Sequence, residues 1–187
     1  MSYTNLLYHI VYGTKDRLPL ITKELRPNMH RFLGGLITEL HGTPLEINGV
    51  ADHVHVLARI KPVISISEFL SKLKSQSSGW ANRQTHGRFK WQVKYGAFTV
   101  SQSQVGRVRE YIRNQEVHHS KISFEDEFKI LLSSHGLDFE EKYLWTSYYN
   151  VSPRLADSPW ALLRSWLRDY VQPEIRHIAR LAASPWA

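Results

Sequence analysis

Six segments of defined hydrophobic periodicity follow one another in an order that few folds can accommodate. Runs rich in β-branched and aromatic residues, typical of strands, lie at 4–13, 43–50, 53–60 and 91–100. Apolar residues at helical spacing lie at 25–41 and 65–84. The order β-α-β-β-α-β predicts an α+β, ferredoxin-like fold with one antiparallel sheet, in which the first and third strands are central.

Further helices are predicted after the fourth strand. Serine followed three residues later by an acidic or amide residue is typical of a helix start. Such pairs occur at Ser65 and Glu68, Ser101 and Gln104, and Ser123 and Asp126. The second pair predicts a helix over about 102–119, and the third predicts a shorter helix over 124–134.

The character of the chain changes near Ser147. The segment YYNVSPRLADSPW contains two prolines, and two short basic amphipathic helices are predicted after it. Because about 40 residues rarely bury a core alone, we expect a domain over 1–146 with a basic helical extension over 147–187. The extension either packs on the domain or a partner subunit, or contacts phosphates through Arg154, Arg164, Arg168, Arg176 and Arg180.

Charge and composition limit the classes of partner and of metal site to expect. The chain has 187 residues, a formal net charge of +7 and an isoelectric point near 9.7, so a polyanion is the first partner to consider. The absence of cysteine excludes disulfides and thiolate metal sites. No apolar run approaches the roughly 20 residues of a membrane-spanning helix, and no basic leader precedes an apolar stretch. We therefore expect a cytoplasmic protein.

The segment ADHVHVLARI, residues 51–60, carries two histidines on one face of a predicted strand. Because side chains alternate along a strand, His53 and His55 point one way while Val54 and Val56 point the other. The pair is either two tolerated polar side chains in a core or two ligands of a metal site. Since the strand is predicted to be central, both imidazoles would sit on a rigid element.

The predicted helix over 102–119 places other polar side chains together. Tyr111 and Gln115 are four residues apart and share a face, which His118 continues, with His119 beside it. Each histidine is either a spare metal ligand, a side chain that orients Gln115, or a helix-end side chain favoured by the helix dipole.

Taken together, these residues resemble the single-tyrosine HUH transposases of the insertion-sequence-200-like family, including its REP-associated tyrosine transposase relatives. The resemblance rests on DHVH at 52–55 and YIRNQEVHH at 111–119. It extends to YHIVYGTKDRLPLIT, WQVKYGAFTVS and SFEDEFKILLSSHGLDFEEKYLW, in the expected order, and covers roughly residues 3–146.

The resemblance implies a mechanism. Tyr111 would attack a phosphodiester of single-stranded DNA and form a 5′-phosphotyrosine, with Mg²⁺ or Mn²⁺ held by His53, His55 and Gln115. Family members act as homodimers in which one subunit's tyrosine completes the other's site, and they recognise hairpins at element ends. The protein would then associate with the nucleoid when bound to DNA.

Candidate DNA contacts follow the second long helix. Basic side chains that could contact phosphates are Lys72, Lys74, Arg83, Arg88 and Lys90. Aromatic side chains that either stack bases or belong to the core are Trp80, Trp91, Tyr95 and Phe98.

Three other functions stay open from the sequence. A domesticated relative would process repeated palindromes by the same chemistry. A ferredoxin-like nucleic-acid-binding module would lack catalysis, and a metal phosphoesterase would use water as the nucleophile.

Overall fold

A computed structural model describes residues 3–145. Its strands are β1 (Leu7–Gly13), β2 (Thr43–Gly49), β3 (His53–Arg59) and β4 (Gly96–Thr99). Its helices are α1 (Arg26–Glu39), α2 (Ile66–Gln84), α3 (Val105–Arg113), α4 (Gln115–His119), α5 (Phe124–Ser134) and α6 (Glu141–Leu144). The predicted extension over 147–187 and its arginines lie outside the described residues, so that part of the domain division stays a prediction. No helix within 3–145 has both the length and the apolar character needed to cross a membrane.

The four strands form one antiparallel sheet in the order β2-β3-β1-β4. β1 and β3 are therefore central, and their register places Val11 opposite His55 and Gly13 opposite His53. This confirms the predicted ferredoxin-like α+β fold. Gly49, at the end of β2, permits the tight turn into β3, because a Cβ there would overlap the His53 carbonyl oxygen.

The two faces of the sheet are covered by different helices. Ile10, Tyr12, Val54 and Val56 are fully buried in a core shared with α1 and α2. The opposite face carries a second apolar cluster with its own side chains: Val11, Phe98, Phe124, Phe128 and Leu132. Because residues alternate between faces, His53 and His55 lie on this second face, beneath α3 to α5.

Local sequence features explain why α5 forms and packs on the sheet face that carries the histidines. Ser123 caps the helix, since its Oγ accepts a hydrogen bond from the Asp126 backbone N–H at 3.1 Å. Phe124, Phe128 and Leu132 then form a buried stripe at helical spacing. The helix spans the predicted range of 124–134.

The helix predicted over 102–119 is instead divided. A 3-10 turn at Gln102–Gln104 leads into α3, and a break at Asn114 separates α3 from α4. At the break the Asn48 side chain donates to the Arg113 carbonyl oxygen at 2.9 Å, so a tertiary contact from β2 uses a backbone acceptor of the helix. Ser101 stands at the N-cap of the 3-10 turn, but its hydroxyl pairs with the Ser103 hydroxyl and does not make the cap hydrogen bond that the pattern predicts.

The fourth strand is shorter than predicted. Only Gly96–Thr99 pairs as a strand, while Trp91 forms an isolated bridge with Thr14. Between them the Lys74 ammonium donates to the carbonyl oxygens of Val93 and Lys94. Those carbonyls therefore bind a side chain from α2 and not a neighbouring strand.

Candidate active site

His53 and His55 sit on β3 with no exposed surface. Each imidazole has a partner on its Nδ1 side. His53 Nδ1 lies 2.8 Å from Asp52 Oδ1, and His55 Nδ1 lies 2.9 Å from His9 Nε2. If each Nδ1 carries the proton and donates it to that partner, both Nε2 atoms keep a lone pair for a ligand.

Burial keeps the imidazoles of His55 and His9 neutral. It lowers the pKa of His55 to about 4, against the opposing effect of Glu127. It also lowers the pKa of His9 to about 3, so His9 can accept the proton of the His55 ring. Neutral imidazole is the form that binds metal ions.

A third histidine reaches the same place from α4. His119 Nδ1 lies 3.0 Å from the Ile122 carbonyl oxygen, to which it can donate, and its Nε2 points inward. His119 Nε2 therefore lies beside the same carboxylate as the two strand histidines, and its role as a spare ligand stays a prediction. His118 Nε2 lies 3.3 Å from Glu127 Oε1 and stays beside the group.

Glu127 of α5 faces all three imidazoles and is only 2% exposed. Its Oε2 atom lies 3.3 Å from His55 Nε2, 3.2 Å from His119 Nε2 and 3.7 Å from His53 Nε2. Burial raises the pKa of the Glu127 carboxyl, but the imidazoles of His119 and His55, in the alternative tautomer with the proton on Nε2, outweigh it and hold that pKa well below its usual range. The carboxylate is therefore ionised.

We call His53, His55, His119 and Glu127 the four-donor group. The four ligand atoms lie within 4.8 Å of one another. All four are buried and lack a hydrogen-bond partner in the described part of the chain. Tetrahedral bonds of about 2.0–2.1 Å separate neighbouring ligands by about 3.3 Å, which is close to the spacing around Glu127 Oε2. The group fits a metal ion, and its imidazole content suits Mn²⁺ or Zn²⁺ better than Mg²⁺.

Tyr111 of α3 meets the four-donor group through the other oxygen of Glu127. The Tyr111 hydroxyl donates a hydrogen bond to Glu127 Oε1, and Gln115 Nε2 donates to the same oxygen at 3.2 Å. Burial, followed by the negative charge of Glu127, raises the pKa of the Tyr111 phenol, so the phenol is protonated in this arrangement. The predicted ligand atom of Gln115, its Oε1, is buried without a partner.

Tyr111 and His118 also line a surface cavity of about 420 Å³. Arg107, Glu110 and Lys121 are among its other lining residues. The two cations suit a phosphate backbone.

The basic side chains predicted to contact DNA differ in their exposure and in the partners they already have. Arg83, Arg88 and Lys90 are exposed, and Lys72 is exposed beside Glu68, with which it pairs at 2.8 Å. Lys74 is different, because burial lowers its pKa to about 8 and its ammonium donates to two carbonyl groups.

The candidate stacking aromatics are largely structural. Trp91 and Phe98 are buried in the two cores, and Trp91 Nε1 donates to Ser77 Oγ at 2.9 Å. Trp80 is half-buried and stacks on Phe32 with ring centroids 4.8 Å apart. Tyr95 is half-buried beside Lys74.

Two site residues, Glu127 and His9, were missed from the sequence. Glu127 lies three residues after Phe124 and one before Phe128, so the α5 periodicity places an acid on the buried face. A charge on an apolar stripe was a usable signal. His9 gave a weaker one, because a single histidine on a strand has many possible partners.

The chain is similar in sequence to known transposases. The family model described as "Transposase IS200 like" matches residues 2–115, which include His53, His55, Tyr111 and Gln115. The transposase for insertion sequence element IS200 of Salmonella typhimurium is 30% identical over 118 residues, covering 59% of this chain and 77% of that protein. Its counterpart in Salmonella typhi matches equally.

One solved structure supports the fold, and a second is less similar. A crystal structure of a Deinococcus radiodurans protein assigned as a transposase superposes with a TM-score of 0.50 at 24% identity, over 61% of this chain and 93% of that one. A REP-associated tyrosine transposase bound to a REP hairpin gives 0.49 at 13% identity, over 82% and 95%. On the extent of the family match, this chain belongs to the IS200-like transposases.

Proposed function

We propose that this transposase cleaves and rejoins single-stranded DNA through a covalent 5′-phosphotyrosine formed on Tyr111. The observation that carries the proposal is the meeting of Tyr111 with the buried imidazoles of β3 through Glu127. A candidate tyrosine nucleophile, a cluster of ligand atoms and a cavity lined in part by Arg107 and Lys121 then lie on one chain.

A metal ion belongs to this proposal. His53, His55, His119 and Glu127 would hold it, because their ligand atoms are buried, adjacent and unpartnered. Gln115 stays a predicted ligand, supported by its buried and unpartnered amide oxygen. When bound, such an ion supplies Lewis-acid polarisation of the scissile phosphate.

Tyrosine chemistry explains how strands are rejoined. The Tyr111 oxygen bonds to phosphorus as its proton passes to solvent, and the bond from phosphorus to the departing 3′ oxygen breaks, so that this oxygen takes up a proton and becomes a 3′-hydroxyl. Because the phosphotyrosine retains a phosphodiester, a 3′-hydroxyl can reverse the step without a nucleotide cofactor. A water nucleophile would leave a broken strand.

The described residues also support a route for DNA. The cavity beside Tyr111 carries Arg107 and Lys121, and exposed candidate contacts lie elsewhere on the surface at Arg83, Arg88 and Lys90. We propose single-stranded DNA with hairpins as the substrate, as the family resemblance implies. Lys74 is the weakest of the predicted contacts, since its ammonium is engaged within the protein.

The predicted homodimer would not be needed to bring the nucleophile to the metal ligands. Tyr111 and the four-donor group converge within one chain. We therefore propose action in cis, whether or not a dimer forms.

Covalent capture tests the proposed function. The protein is incubated with Mn²⁺ and single-stranded hairpin oligonucleotides taken from DNA flanking the gene, and adducts are resolved on a denaturing gel. We expect an adduct with the wild type. Tyr111→Phe should abolish it with little change in DNA binding, because only the hydroxyl is removed. His53→Ala should abolish it together with metal binding. An adduct that survives Tyr111→Phe would show that another residue is the nucleophile.

Genomic context separates the mobile element from a domesticated relative. Terminal hairpins directly flanking the gene favour a mobile element, and dispersed palindromes without them favour a REP-processing role.

A further inference from the structure

The carboxylate of Glu127 faces two different sets of side chains. Its Oε2 lies 3.2 Å and 3.3 Å from the Nε2 atoms of His119 and His55. Its Oε1 accepts hydrogen bonds from the Tyr111 hydroxyl and, at 3.2 Å, from Gln115 Nε2. One buried side chain therefore contacts both the candidate metal ligands and the candidate nucleophile.

Packing fixes the orientation of Glu127. The Phe124 ring, one turn earlier in α5, stacks on His53 with centroids 4.0 Å apart and planes at 6°. Phe128, the next residue in the helix, is buried in the cluster with Val11 and Phe98. A side chain held between such neighbours is preorganised, which is what accurate placement of a reacting group requires.

The family match ends at Gln115, so α5 and Glu127 lie beyond it. His53, His55 and Tyr111 are inside the matched region. Glu127 contacts both His55 and Tyr111 and therefore joins matched residues from a part of the chain that the match does not cover.

We propose that Glu127 is a positioning residue that aligns the nucleophile with the metal: one oxygen ligates the ion, and the other holds the Tyr111 hydroxyl. This inference rests on the proposed function, because it assumes Tyr111 as the nucleophile. Removing the carboxylate would then have two separable effects. Metal affinity would fall, and Tyr111 would react slowly even at saturating metal.

The decisive variant is Glu127→Gln, which keeps the side-chain shape and removes the charge. Glu125→Gln is the matched control, since it makes the same change on α5 at a residue that pairs with Arg17. Mn²⁺ affinity is measured by calorimetry, and the rate of adduct formation is measured in single turnovers over a range of DNA concentrations.

For Glu127→Gln we expect Mn²⁺ affinity to fall about tenfold or more. At saturating Mn²⁺ and DNA, the adduct rate should still fall by about 100-fold. The DNA concentration for half-maximal rate should stay within about twofold of the control, because positioning affects the chemical step and not DNA binding. A saturated rate equal to that of Glu125→Gln would overturn the proposal.

A spectroscopic measurement on the unaltered site covers the case in which Glu127→Gln does not fold. Mn²⁺ is added to metal-free wild type and to metal-free Tyr111→Phe, and the near-ultraviolet difference spectra are compared. We expect a tyrosine signal in the wild type that Tyr111→Phe lacks, because metal binding at Oε2 withdraws charge from the carboxylate whose Oε1 accepts the Tyr111 hydrogen bond. Identical difference spectra would contradict the shared carboxylate.

The two proposals fail differently. If Tyr111→Phe still forms the adduct, the nucleophile is misassigned and the proposed function fails. If Tyr111→Phe abolishes the adduct while Glu127→Gln reacts at the control rate, only the inference about Glu127 fails.

Discussion

Each imidazole of the four-donor group has a partner at its Nδ1 atom. Asp52, His9 and the Ile122 carbonyl oxygen lie beside His53, His55 and His119 respectively. Such outer contacts set the tautomer and orient the ligand atom. At the scale of single residues, these contacts therefore orient the three imidazoles toward one another.

His30 of α1 offers a residue-scale test that is independent of catalysis. Its Nε2 is buried without a partner among the described residues, and burial followed by the charge of Arg26 lowers the pKa of His30 to about 4. As the pH falls from the ordinary value of 6.5 toward 4, the unfolded chain binds a proton that the folded chain does not, so stability decreases.

We expect His30→Gln to weaken this acid sensitivity. The slope of unfolding free energy against pH should decrease by up to about 1.4 kcal/mol per pH unit. Urea titrations of wild type and variant at several pH values between neutral and 4 measure it. Parallel slopes would show that the His30 imidazole is protonated in the folded protein as readily as in the unfolded one.

Sequence reasoning reached those residues whose partners are implied by local periodicity. Strand alternation put His53 and His55 on one face, and helical spacing joined Tyr111 with Gln115. Glu127 was not placed in the site, because its partners lie on other elements. An acid near a helix start is ordinarily explained by its favourable interaction with the helix dipole.

At the scale of elements, α5 is the part that closes the histidine face. Its buried stripe packs against the sheet, and its cap satisfies a backbone N–H that the helix leaves free. The placement of Glu127 therefore depends on the stability of the N-terminal turn of α5.

Ser123→Ala should lower the unfolding free energy by about 1 kcal/mol, since the cap hydrogen bond to the Asp126 N–H is lost. Ser134→Ala is the matched control, because that hydroxyl is exposed at the other end of α5 and contacts only its neighbours there, the Leu131 carbonyl oxygen and His135 Nδ1. Urea denaturation compares the two variants. Equal stability would mean that the Ser123 cap contributes nothing.

The bounds of the helices and strands also show which features local sequence patterns can predict. α5 was predicted at its observed bounds because its cap and stripe are local. The break at Asn114 and the short β4 were not, since Asn48 and Lys74 impose them from elsewhere in the fold. Contacts between distant segments override local propensity at both places.

At the scale of the molecule, the order of elements was sufficient to predict the sheet. Sequential strands and right-handed crossovers leave few arrangements for β-α-β-β-α-β, and the observed order β2-β3-β1-β4 is the expected one. The convergence of α3, α4 and α5 over the central histidines could not be read from that order, because it depends on packing after the last strand.

The central claim of the account is that Tyr111 and the metal ligands of a single chain form one working site. Chains carrying Tyr111→Phe and His53→Ala, with different tags, are co-expressed and tested together for adduct formation with Mn²⁺ and single-stranded hairpin DNA. We predict that the mixture is as inactive as either variant alone, because neither chain has a complete site. An adduct recovered on the His53→Ala chain would contradict the account, since its Tyr111 would then be working with another subunit's histidines.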